Sequence, residues 1–121
     1  MAERSADRME QARRDLAMAG QARDTGFFEW ACFISQQGAE KAVYQRHGAT
    51  LFSISSMISG REIPADLSSV ARSLDRNYIL DGFSRGKPAD YFTQEDADDA
   101  VGGAERTVQF YRNFVTLPKN P

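Results

Sequence analysis

The sequence predicts an all-α protein: an up-and-down antiparallel bundle of four long helices with one extra short helix. Three observations carry this. Apolar residues recur every three or four positions through four separate segments. No segment shows the period-two alternation of a half-buried strand. Helix-ending glycines and helix-starting polar residues stand where those segments begin and stop.

The first 24 residues carry Ala6, Met9, Ala12, Leu16, Ala19 and Ala22 with charges between them, which is one apolar stripe on a helix. Thr25-Gly26 closes it, because glycine takes the left-handed conformation of a helix end without steric cost. Phe27 to His47 reads as a second helix. Phe27, Trp30, Ala31, Ile34, Gly38 and Ala42 form one face, and Phe28, Cys32, Phe33 and Val43 widen it, so this helix is expected at the centre. Its small residues suit a close helix neighbour. Leu51 to Ile58 reads as the short helix. Pro64 is well placed at the start of a third long helix with Leu67, Val70, Ala71, Leu74 and Tyr78. Residues 80–92 read as a long loop, since Asp81 to Tyr91 holds two glycines, a proline and several charges. Thr93 then offers a capping hydroxyl, and Glu95 and Asp96 favour the positive end of a helix dipole. The last helix carries Ala97, Val101, Ala104, Val108, Tyr111 and Val115, and Leu117-Pro118 ends it.

A length of 121 residues is one domain, residues 1–121. The net charge of −2 leaves no global basic field to gather nucleic acid, so any RNA contact has to be local. Cys32 is the single cysteine, which excludes an intrachain disulfide and a thiol-rich metal site. No cofactor or metal is called for. No apolar run approaches the ~20 residues of a membrane span, and no leader pattern opens the chain. A cytoplasmic protein is the expectation.

Three segments resemble the HEPN domain, named for its occurrence in higher eukaryotes and prokaryotes. They are "GFFEWACFISQQGAEKAVYQ" (26–45), "ARSLDRNYI" (71–79) and "DYFTQEDADDAV" (90–101). Gln36-Gln37-Gly38-Ala39-Glu40-Lys41-Ala42 is the most specific piece, and order and spacing agree over nearly the whole chain. The resemblance implies a helical bundle that pairs as a homodimer and a link to RNA or nucleotides. Many members are metal-independent endoribonucleases, and many work beside a small nucleotidyltransferase as toxin and antitoxin. Their shared motif is an arginine followed four to six residues later by histidine, with two copies meeting at the dimer interface.

"RNYILDGF" (76–83) is similar to the form Arg-Asn-x-x-x-His-Gly-aromatic. Arg76, Asn77, Gly82 and Phe83 match, and Asp81 stands in the place of the histidine. A second family register fits Tyr78, Ile79 and Phe83 but departs at Leu80 and Gly82. The departure at 81 matters chemically. Cleavage without metal needs a group that moves a proton near neutral pH, as histidine does. Arginine stabilises charge on the phosphate. An aspartate of ordinary pKa, about 4, is ionised at neutral pH and repels the phosphate.

The resemblance therefore implies a binding module with Arg76, Asn77 and Tyr78 at its site. Gln37, Glu40 and Lys41 line a polar cleft in this reading, and Arg85 and Lys87 add local positive charge for phosphate. A plain structural reading stands beside each. Arg76 pairs within the bundle with Asp75, Asp81 or Glu40; Asn77 caps a helix; Asp81-Gly82 is a turn. The polar residues of the second helix are then a solvated face. Two alternatives remain: a divergent endoribonuclease that keeps Arg76 and recruits another base, and a structural interaction protein.

Overall fold

The structure is a computed structural model, and it describes residues 2–47, 69–70, 73–74 and 88–112. Among them every regular element is helical. Helix α1 spans Ala2–Asp24, α2 spans Phe28–His47 and α3 spans Gln94–Arg112. A single 3-10 turn, Pro88–Asp90, precedes α3 inside the segment read as a loop. Residues 69–70 and 73–74, within the expected third helix, are helical as well. The expected short helix, residues 80–87 and Val115 lie outside the described residues.

The stop after α1 is built as its sequence indicates. Gly26 has φ +88°, in the left-handed region. The Phe27 amide donates to the Ala22 carbonyl at 2.8 Å and the Gly26 amide to Arg23 at 3.1 Å. This paired closure is the Schellman arrangement, which satisfies carbonyls that the helix leaves unpaired. The Thr25 hydroxyl adds a bond to the Gln21 carbonyl at 2.9 Å. The chain reverses in three residues, and α2 packs back along α1.

That packing is close because the facing residues are small. Ala12 and Ala19 of α1 and Ala31, Ala39 and Ala42 of α2 are fully buried. A β-carbon added to Gly38 would stand 3.1 Å from Cβ of Asp15 and 3.3 Å from the Ala12 carbonyl oxygen. Met9, Cys32 and Val43 complete this part of the core, with Leu16 and Phe28 packed against it.

Helix α3 starts on a reciprocal cap. The Asp96 amide donates to Thr93 Oγ1 at 3.1 Å, and the Thr93 amide donates to Asp96 Oδ2 at 2.9 Å. Two orphan donors of the helix start are satisfied together. Ala97, Ala100, Val101, Ala104, Val108 and Tyr111 then bury one face, which contacts α2 and, less extensively, α1. Arg23, at the end of α1, lies 3.8 Å from Asp98, so the α1–α2 turn and the start of α3 share one end of the molecule.

The aromatic start of α2 departs from the expectation of burial. Phe27 lies before the helix and is 56% exposed, and Trp30 is 48% exposed. The buried face of α2 runs through Ala31, Cys32, Ser35, Ala39 and Ala42 instead. Gln36 is fully buried, against the reading of a solvated face.

Candidate functional site

An open cleft of about 680 Å³ lies beside α3. One wall is the helical segment carrying Ser69, Val70, Ser73 and Leu74, and the other is the Asp96, Asp99, Ala100, Gly103 face of α3. Tyr91 and Phe92, just before the Thr93 cap, line it too. The spacing of the α3 residues is three, one and three, which is one helical face. The walls meet closely at Gly103, where an added β-carbon would stand 3.0 Å from Val70 Cγ1. The glycine pair in "VGGAE" thus marks a close approach at Gly103, while Gly102 has open space.

The lining decides what the cleft can hold. Its described residues offer three hydroxyls (Ser69, Ser73 and Tyr91), two aromatic rings, an apolar floor and two carboxylates. Asp96 is engaged in the helix cap. No described lining residue is cationic. Arg76, Arg85 and Lys87, the cations expected to meet a phosphate, lie outside the described residues, as do Asn77, Tyr78 and Asp81. Arg76 follows Leu74 by two positions in sequence. Among the described residues no group of three or more His, Cys, Asp or Glu side chains is arranged to hold a metal ion.

The polar residues predicted on α2 form a separate cluster. None of them lines the cleft. Lys41 Nζ is 2.8 Å from Asp15 Oδ2, a part-buried ion pair that bolts α2 to α1. Gln11 donates to the other oxygen of Asp15 at 3.0 Å. Gln37 donates to Gln36 Oε1 at 2.7 Å. Glu40 is half-buried beside them. The buried Ser35 hydroxyl has no hydrogen-bond partner among the described residues. Cys32 is an inert thiol: burial first, then the carboxylates of Asp96, Glu29 and Asp99, push it up to about 12 from 9.0.

Sequence reasoning passed over Ser69, Ser73, Tyr91 and Asp99. A usable signal was present. Asp99 and Gly103 share a helical face with Asp96, and a glycine on such a face marks a close neighbour.

A family model for the HEPN domain matches residues 5–114, most of the chain. The chain belongs to the HEPN family. The HEPN fold is also seen in solved structures. A Thermus thermophilus protein superposes with TM-score 0.80 at 29% identity, over 91% of this chain and 97% of its own. An archaeal HEPN homologue gives 0.76 at 33% identity, over 93% and 98%. A HEPN domain protein from Thermotoga maritima gives 0.63 at 32% identity, over 89% and 96%. Among curated proteins none matches this HEPN chain.

Proposed function

We propose that this HEPN protein is a dimeric binding module that holds RNA or a nucleotide without cutting it. One observation carries the reading: Asp81 occupies the histidine position of "RNYILDGF". The single histidine of the chain, His47, ends α2 and belongs to a different segment. A carboxylate of ordinary pKa, about 4, has no proton at neutral pH to give to a leaving oxygen. Arg76 retains its fork of donors for phosphate, and Asn77 and Tyr78 are the adjacent polar and stacking groups. Arg85 and Lys87 supply further positive charge on the loop. Gln37 and Lys41 have the smaller part, since each is engaged within the bundle. A small nucleotidyltransferase is the partner that family membership suggests.

The test is cleavage of a labelled single-stranded RNA with EDTA present, using wild type, Arg76→Ala and Asp81→His. The expected result is an inert wild type and a cutting Asp81→His variant. Cleavage by wild type that Arg76→Ala abolishes would replace this reading with a divergent endoribonuclease. If wild type binds the RNA in a filter assay and Arg76→Ala does not, the binding role stands on its own.

A further inference from the structure

We propose that the end of the bundle formed by the α1–α2 turn and the first turns of α2 and α3 docks a lysine- or arginine-rich segment of a partner protein. The surface has two components. Its apolar component is aromatic and exposed: Phe27 at 56%, Trp30 at 48% and Tyr91 at 41%. Trp30 stands edge-on to Phe33, with ring centroids 6.1 Å apart, so its ring is held by a neighbour rather than loose in solvent. Exposed tryptophan and tyrosine are the side chains that most often anchor a protein partner.

The second component is charge. Asp24 ends α1, Glu29 lies in the first turn of α2, and Glu95, Asp96, Asp98 and Asp99 crowd the first turns of α3. Among the described residues at this end Arg23 is the one cation, and Asp24 at 3.1 Å and Asp98 at 3.8 Å already engage it. The basic residues of α3, Arg106 and Arg112, lie toward its other end.

This combination selects among occupants. RNA and anionic lipid headgroups carry the wrong sign and are repelled. A second copy presenting the same end would set carboxylates against carboxylates. A basic segment with apolar side chains satisfies both components: its ammonium or guanidinium groups meet the acids and the aromatic faces, and its apolar residues cover the rings. Docking at this end needs no residue of the 76–81 motif, so failure of RNA binding there leaves it standing, and the converse holds.

Trp30 is the only tryptophan in the chain, which makes its emission a direct report from this surface. The full chain is titrated with a short peptide of alternating lysine and leucine. The expected result is a saturable blue shift that weakens at least tenfold as salt rises from about 0.05 M to about 0.5 M, as screening requires. Glu95→Lys with Asp98→Lys weakens the response at least tenfold, and the neutral pair Glu95→Gln with Asp98→Asn gives a smaller loss in the same direction. Circular dichroism checks that both variants fold. A glutamate–leucine peptide and single-stranded RNA leave the emission unchanged. No shift with the basic peptide overturns the proposal, as does a shift that neither pair of substitutions alters. A shift with RNA, or with protein concentration alone, overturns it in favour of those occupants.

Discussion

Two glycines of similar appearance have opposite roles. Gly38 faces Asp15 and the Ala12 carbonyl, and a backbone carbonyl cannot swing aside for a β-carbon. Gly38→Ala gains up to ~1 kcal/mol of helix propensity but forces α1 away, and overpacking of this kind costs about 1–3 kcal/mol. The expected net effect is a lower urea midpoint. Gly102 has nothing within 4 Å of an added β-carbon. Gly102→Ala should therefore raise stability by roughly 0.5–1 kcal/mol, since only the propensity change remains. Equal effects at the two positions would contradict the close α1–α2 approach. Cys32 gives a pH prediction. Its thiol titrates near 9.0 when unfolded and at about 12 when folded. Above pH 9 the unfolded state releases the proton first, so the stability owed to this group is present below pH 9 and is lost as pH rises toward 12. Urea midpoints measured from about pH 8 to about pH 11 should fall more steeply for wild type than for Cys32→Ala. Iodoacetamide at about pH 8.5 should label the thiol only after denaturant is added.

At the scale of elements, the start of α3 and the tie between α1 and α2 are the testable joints. Thr93→Ala removes the hydroxyl acceptor of the cap and should cost ~1 kcal/mol, with Thr93→Asp recovering most of it. The two urea curves decide this, and an unchanged midpoint for Thr93→Ala would mean the cap is idle. Lys41 and Asp15 are less exposed than an ordinary surface pair. A double-mutant cycle with Lys41→Met and Asp15→Asn should return a coupling of about 0.5–1 kcal/mol. A coupling near zero would free Lys41 for the ligand role that its sequence suggested. These elements were legible because their causes are local. A glycine after a periodic run, a threonine before acids, and an apolar stripe each act within one or two turns. The exposure of Trp30 and Phe27 was not legible, because it depends on how near α1 comes. Alanine and glycine could be recognised as permitting that approach, but the side of α2 that α1 takes could not be read from them. The cleft was hidden for a related reason. It joins Ser69 and Ser73 to Asp99 and Tyr91, which are far apart in sequence and carry no shared spacing.

For the whole molecule the net charge is −2, and among the described residues it is unevenly placed. Among the described residues acids gather at the end shared by the α1–α2 turn and the start of α3, while Arg13, Arg14, Arg106 and Arg112 lie away from that end. Bulk affinity for nucleic acid should therefore be poor whatever the motif does. The protein is expected to pass a heparin column unretained at about 0.15 M salt, where the screening length is only ~8 Å. Retention there would show that a local basic patch outweighs the acidic end. The same unevenness explains how much of the site was readable. Residues 76–81 carry a recognisable order of side chains, whereas the acidic end consists of ordinary helix-starting residues. Each has a local reason to be where it is, and only the fold adds them together.

The three-residue reversal between α1 and α2 has a kinetic consequence. Closing so short a connection loses little chain entropy, and the contacts it secures lie close along the chain. The first helical hairpin is thus the unit best suited to form early in folding. During synthesis it leaves the ribosome before α3 does, so its alanine seam can close while the residues that will cover its other side are still being made.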